Sequence, residues 1–288
     1  MTTRINFKGQ TMQNDNVFVD SEVRNLAEIL GTPTRKGLEK AIYSNGTLVG
    51  VFSDNYGHLP NEQFFAVVEE KLINADVQYD TRSINRDNRS FAVDYILNDD
   101  RYNIIVANGK DIIKPMLRFV NSYDGSCKTS GSFGYFRQVC TNGLHVAETK
   151  MSFNVKHKGS IVEFVLPEIE TLVSNFINNE YYTLKPKAEF LSGAIVSDVQ
   201  KFVKDVCKET AIFKYEKSDK NPEPSLNAEI VADTILAESR YLNTSPNMWL
   251  GYNAFNEILH TKFAKSFDVQ KTLDGKIFDT IYNMATAN

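Results

Sequence analysis

The stretch that decides the fold is FAVDYIL, residues 91–97, in which Phe91, Val93, Tyr95 and Leu97 fall on one face of a strand. A period of two is typical of a β-strand that places one face in the core. Further strand signals follow along the chain in NIIVA (103–107), IIKPMLRFV (112–120) and MSFNVKHK (151–158). The sequence therefore predicts an antiparallel β-meander over about residues 77–158.

Turn dipeptides separate these predicted strands. Asn108-Gly109, Asp124-Gly125 and Asn142-Gly143 are the residue pairs that tight hairpin turns favour. Pro115 lies inside the third strand and has no backbone N–H to donate. We therefore expect that strand to be an edge strand or to be interrupted at Pro115.

Helical patterns surround the predicted meander. Residues 1–20 are polar and are expected to form an N-terminal arm. Asp20 or Ser21 is predicted to cap a short helix that ends at Gly31. After Gly159 the apolar period becomes helical, and Pro167 is predicted in the first turn of a helix.

The expected fold class is α+β, with an antiparallel β-meander-rich N-terminal half that also contains helices, followed by a helical C-terminal half. Residues 216–225, EKSDKNPEPS, contain two prolines and five charges and are predicted to be a linker. The predicted organisation is a polar arm (1–20), an α+β core (21–215), the linker (216–225) and a helical region (226–288).

Composition limits the classes of protein. The chain has 288 residues, of which 42% are hydrophobic, enough for a sizeable core. No apolar run approaches the roughly 20 residues of a transmembrane helix, and the N-terminus does not resemble a signal peptide. The three cysteines have no CxxC spacing. These features predict a cytoplasmic protein with no membrane partner.

The charge of the chain is unevenly distributed. The net charge is −4, which argues against a uniformly basic nucleic-acid binder. Residues 101–160, however, carry nine Lys+Arg and three Asp+Glu, whereas the segments before and after each carry a net charge of −5. Uneven sampling of surface charge is one explanation, and a localised binding surface is the other.

The basic residues fall on the predicted meander. In MSFNVKHK the polar side chains alternate with apolar ones, which predicts a half-buried strand with a basic polar face. Such a face could neutralise a phosphate backbone and release its condensed counterions. The predicted phosphate contacts are Lys114, Arg118, Lys128, Arg137, Lys150, Lys156 and Lys158.

Aromatic residues are interleaved with this positive charge. Tyr123, beside the Asp-Gly turn, and Tyr135 are the rings that we expect to be exposed. Unpaired bases stack on such rings with about 1–3 kcal/mol per base. The alternative for each ring is ordinary packing in the core.

Enzymatic motifs are weak in this sequence. The four histidines show no HxxxH or HExxH spacing, and no cysteine pair completes a zinc set. A Cys140–His145 pair is conceivable, as is a magnesium-dependent nuclease site at Asp124, Glu148 and Lys150. We predict no catalytic residue, metal or cofactor, and whether the protein is an enzyme stays open.

Several motifs resemble those of a known family. NSYDGS (121–126) followed by FRQVCTNGL (136–144) is the most recognisable pair, with YGHLPNEQFF (56–65) before it and WLGYNAFNEILH (249–260) after it. They resemble a domain-of-unknown-function family that is often labelled "phage/plasmid-like protein", over roughly residues 45–265. The resemblance implies a mobile-element origin, and therefore the cytoplasm of the host cell if a phage encodes the protein, but no agreed activity. A looser analogy, of architecture and charge only, is to RecT-like single-strand annealing proteins.

Three hypotheses follow. The first is a phage- or plasmid-encoded protein that binds single-stranded nucleic acid, with DNA expected over RNA, as a homo-oligomer that assists recombination or annealing. The second is a protein-interaction factor of a mobile element, which counters a host system and docks an acidic partner, or the acidic flank of the next subunit, on the basic segment. The third is the metal-dependent nuclease.

Overall fold

A computed structural model of the chain describes residues 15–106, 109–137, 143–144, 152–177, 184–218, 221–263 and 266–287. Within these residues the architecture is α+β. Strands occupy most of the N-terminal half and helices most of the C-terminal half, as the sequence predicts.

The main sheet is an antiparallel meander. Its strands are β4 (Tyr79–Arg86), β5 (Ser90–Leu97), β6 (Ile104–Val106), β7 (Asp111–Ser122), β8 (Thr129–Arg137), β9 (Gly143–Leu144) and β10 (Ser152–Val155). The central path runs in the order β10-β8-β7-β5-β4, with β6 paired to β7 and β9 paired to β8. The predicted meander is confirmed.

Pro115 lies in a central strand rather than an edge strand. On one side of β7 it pairs with Tyr135 of β8. On the other side, the partner of β7 changes from β6, whose last pair is at Ile113, to β5, whose first pair is at Met116. The missing N–H therefore falls in the gap between two partner strands, so the expected interruption is present while the expected edge position is wrong.

The helices flank and follow this sheet. They are α1 (Leu26–Leu30), α2 (Asn61–Asn74), α3 (Ile161–Ile177), α4 (Leu184–Gly193), α5 (Val199–Thr210), α6 (Leu226–Leu242), α7 (Met248–Lys262) and α8 (Phe267–Thr286), with a 3-10 turn at Asp100–Tyr102. Pro167 lies inside α3 instead of in its first turn. Proline has no N–H to donate to the carbonyl of Glu163, one turn earlier, and both residues are exposed.

The N-terminal segment differs from its prediction. Residues 21–25 form a strand, β1 (Ser21–Asn25), which joins β2 (Lys40–Ser44) and β3 (Thr47–Phe52) in a three-stranded antiparallel sheet. The helix α1 starts only at Leu26, because Asn25 caps it by accepting from the backbone of Ala27. Its end at Gly31, with φ 65°, is as expected.

The two faces of the main sheet have different chemistry. One face is apolar and packs on α2 and α3, for example through Phe64 on Phe119 and Phe176 on Phe133. The other face carries a polar row that the register aligns straight across five strands. Its members are Arg82, Asp94, Arg118, Ser132 and Ser152.

The C-terminal helices are joined to the sheet by one apolar core. Buried residues from Val17 to Ala285 form a single cluster that includes both the sheet and α5–α8. The segment predicted as a linker forms a short hairpin of β11 (Glu216–Ser218) and β12 (Asn221–Pro224). Among the described helices, none has the length and apolar character needed to cross a bilayer.

Candidate functional site

Arg118, a predicted phosphate contact, is buried in the polar row of the sheet. It donates to Asp94 through Nε and, at 2.7 Å, through Nη2. Arg82 donates to the same carboxylate at 2.5 and 2.8 Å from the neighbouring strand. His260 of α7 lies against this group, and burial together with Arg118 and Arg82 lowers its pKa to about 3. Arg118 is therefore part of a covered ionic joint between sheet and helix, and its assignment as a phosphate contact is corrected.

Arg137 is fully buried in a second ionic joint. Its Nε donates to both carboxylate oxygens of Asp111, at 2.8 and 2.9 Å, and its Nη1 donates to Glu238 of α6 at 2.8 Å. Trp249 of α7 donates to Asp111 at 3.0 Å. Burial raises the pKa of Glu238 to about 7 although Arg137 opposes the shift, and burial also raises the pKa of Glu257. A guanidinium with no exposed surface cannot meet a phosphate, so this assignment is corrected too.

The two predicted stacking platforms are also internal. The Tyr123 hydroxyl accepts from the backbone N–H of Asn61 at 2.8 Å, and the Tyr135 hydroxyl accepts from that of Leu184 at 3.3 Å. Tyr123 is 0% exposed and Tyr135 is 1% exposed. Neither ring offers a face to a base, and core packing is the correct interpretation of both.

Residues of the family-like motifs therefore form buried contacts between secondary-structure elements. In NSYDGS, Asn121 donates to Leu59 and to Asn61, which ties β7 to the segment that contains YGHLPN. FRQVCTNGL and WLGYNAFNEILH contribute Arg137 and Trp249 to the joint at Asp111. These residues hold the sheet against α2, α6 and α7.

The remaining predicted contacts are lysines. Lys128, Lys156 and Lys158 are exposed. Lys114 is half-buried and donates to the side chain of Asn98 at 3.2 Å, at the opposite end of β7 from Lys128. Lys150 lies outside the described residues. The structure thus keeps three of the predicted side chains accessible near the start of β8 and the end of β10.

A groove of about 690 Å³ is lined by Lys128, one of these lysines, and lies between the polar face of β10 and the helix α8. We call it the β10–α8 groove. From α8 it uses residues spaced three and four apart, which is one face of a helix. Its lining residues are Lys128, Ser152, Asn154, Asp268, Lys271, Thr272, Gly275, Lys276, Asp279, Thr280 and Asn283.

The groove carries three lysines and two aspartates, a net charge of +1. Burial lowers the pKa of Lys271, and the charge of Asp268 opposes that shift. Lys276 donates to the carbonyl of Thr210 at 2.9 Å and so fixes α8 against the end of α5. Lys271 and Lys276 were missed by the sequence reasoning because they lie in an acidic segment more than 100 residues beyond the meander. The polar stripe along α8 is the signal that could have found them.

The structure describes only some of the residues that the catalytic alternatives involve. In the described part of the chain, no three His, Cys, Asp or Glu side chains are placed to hold a metal ion. Burial raises the thiol pKa of Cys127 and of Cys207 to about 12, which leaves neither thiol nucleophilic. The conceivable pair Cys140–His145 and the nuclease candidate Glu148 lie outside the described residues. Asp124 is described, and its carboxylate accepts from the backbone of Ser126 within the turn.

Comparison with known proteins gives one positive result. No curated protein and no solved structure matches the chain significantly. One family model matches residues 48–270, which is most of the chain and includes the meander, both ionic joints and the start of α8. The chain therefore belongs to the family described as a domain of unknown function (DUF932).

Proposed function

We propose that the protein binds single-stranded nucleic acid through the β10–α8 groove and the lysines beside it. The observation that carries the proposal is the composition of the groove: three lysines share it with five hydroxyl or amide side chains. Lysine, serine, threonine and asparagine are the side chains that contact phosphate oxygens in nucleic-acid complexes. Lys156 and Lys158 extend the positive charge along the chain beyond Asn154.

The proposed binding mode is contact with the backbone. Among the described residues that line the groove, none is aromatic, so no side chain there offers a stacking surface for bases. Binding through phosphates alone carries no sequence information. We therefore propose a ligand of any sequence, with DNA expected in preference to RNA by analogy with RecT-like single-strand annealing proteins.

The remaining parts of the first hypothesis belong to the same proposal. They are a phage or plasmid origin, a cytoplasmic location, a homo-oligomeric state and a role in recombination or annealing. The composition and the cysteine spacing support the cytoplasmic location, and the motif resemblance and the analogy with RecT-like proteins support the other parts. The correction of four predicted contacts narrows the proposed surface from the whole meander to one end of β10 and one face of α8.

Salt dependence gives the first test. We count four lysines as phosphate contacts and leave out Lys276, because it already donates to the carbonyl of Thr210. The four are Lys128, Lys156, Lys158 and Lys271. At about 0.7 counterions released per phosphate of a single strand, the logarithmic salt slope is about −2.8, so affinity falls about 50-fold from about 50 to about 200 mM salt. Anisotropy of a labelled oligonucleotide measures this slope. No binding at low salt contradicts the proposal and favours the protein-interaction hypothesis.

A pair of matched variants locates the surface. Lys128→Gln with Lys156→Gln removes one lysine that lines the groove and one that follows its lining residue Asn154 by two positions, whereas Lys36→Gln with Lys208→Gln removes two exposed lysines outside it. The first pair should weaken binding about 25-fold at about 0.1 M salt and reduce the slope by about 1.4. The control pair should leave both nearly unchanged. Equal weakening by the two pairs contradicts the groove as the binding site.

A further inference from the structure

The strand β1 is an exposed edge of the N-terminal sheet. The sheet order is β1-β2-β3, and within the described residues no strand pairs with the outer side of β1. Four of its five residues are exposed. An open edge is a template for pairing with another strand.

The charges on β1 are complementary to the same strand turned around. Glu22 and Arg24 flank Val23 and lie on one face of the sheet, where their side chains form an ion pair at 2.6 Å. Two antiparallel copies that cross at Val23 place Glu22 of each copy opposite Arg24 of the other. A two-fold pairing that is shifted by one residue at the crossing point places Glu22 opposite Glu22, or Arg24 opposite Arg24. The register that pairs all five residues is thus also the one that matches the charges.

Exposed apolar side chains precede and follow β1 along the chain. Phe18 is 51% exposed, Ile29 is 43% exposed and Leu30 is 58% exposed. The helix α1 has no buried residue among its five. In the antiparallel pair, Asn25 of one copy faces Ser21 of the other, so α1 of one copy lies beside the segment of the second copy that contains Phe18. Pairing would cover apolar surface that the single chain leaves in water.

We propose that β1 is the self-association surface of this protein, and that its occupant is β1 of a second copy, paired antiparallel about Val23. Exposed edges usually carry charges that repel a second strand. Here the two charges attract the same strand in the opposite direction. The inference gives a surface and a register to the oligomer part of the proposed function, and it does not depend on nucleic-acid binding.

The test is a charge swap between two copies, read by mass in multi-angle light scattering. Glu22→Arg alone and Arg24→Glu alone each place like charges opposite one another at both ends of the pairing. Each variant should raise the dissociation constant of the dimer about tenfold. A mixture of the two variants restores opposite charges at both positions, as does the double variant Glu22→Arg with Arg24→Glu, and both should recover wild-type association.

The mass of the dimer is measured without oligonucleotide, so its outcome is independent of whether the protein binds nucleic acid. A wild-type chain that stays monomeric overturns the inference, and so does a dimer whose mass is the same in both single variants. Recovery in the mixture supports β1 even if the protein binds no oligonucleotide. Because all altered side chains are exposed, circular dichroism should show unchanged folding in every variant.

Discussion

We expect Arg137→Met to lower the stability of the folded protein, because Arg137 lies in the interior and not on an exposed surface. The variant removes the guanidinium and leaves Asp111 and Glu238 buried without their shared cation. Breaking a buried ion pair from one side costs about 3–5 kcal/mol. With an unfolding entropy of about 2.1 cal/mol/K for each of 288 residues, the Tm should fall by about 5–8 °C.

Trp249 provides the assay for this prediction. It is the single tryptophan of the chain, it is fully buried, and its indole donates to Asp111 in the same joint. Its fluorescence during urea or thermal unfolding therefore reports on the opening of this joint. Arg35→Met is the matched control because Arg35 is exposed, and it should change stability by less than about 0.5 kcal/mol.

A double variant separates charge from packing. Arg137→Met with Glu238→Leu removes both the cation and one of its carboxylates, so it should be more stable than Arg137→Met alone. The reasoning is refuted if Arg137→Met melts like the wild type. It is also refuted if that variant keeps its Tm and loses oligonucleotide affinity, since Arg137 would then act at the surface.

Two further predictions concern the interior. Because burial lowers the pKa of His260 to about 3, only the unfolded state takes up its proton near pH 5, so this group's stabilisation is present above about pH 6.5 and lost on acidification. His260→Gln should reduce the loss of stability between pH 8 and pH 5 by about 2 kcal/mol in urea titrations, and an unchanged pH profile would show that the imidazole is accessible to protons. Gly131→Ala should destabilise the fold by about 1–3 kcal/mol, because a Cβ there would lie 2.8 Å from Leu172 and 2.9 Å from Phe119. Gly193→Ala, with open space around it, is the control, and equal stability of the two variants would contradict the close packing.

Local periodicity was sufficient to predict the main sheet. The alternation in residues 91–97 places Phe91 and Tyr95 in the core, and the short connection of residues 87–89 fixes the register of β5 with β4. The α+β order of elements was likewise predicted. The strand β1 was not, because five residues with Val23 between two charges fit a helix turn as well as an edge strand.

The exposure of the basic residues was harder to predict than the fold. Alternation shows that Arg118 lies on the polar face, but it cannot show that a helix more than 100 residues later covers that face. Arg137 has the same difficulty, since its partner Glu238 is 101 residues away. All the basic residues were therefore predicted to be exposed, whereas Arg118 and Arg137 pair with buried carboxylates. Lys128 and Lys156, by contrast, are exposed as expected.

The use of Arg137, Asn121 and Trp249 as internal joints has a consequence for the family as a whole. A relative that shares these motifs shares the buried contacts between the main sheet and the helices α2, α6 and α7, which are a property of the fold. The residues of the β10–α8 groove belong to none of those motifs. Two chains could therefore share every one of these motif residues and still differ in the side chains that line this groove.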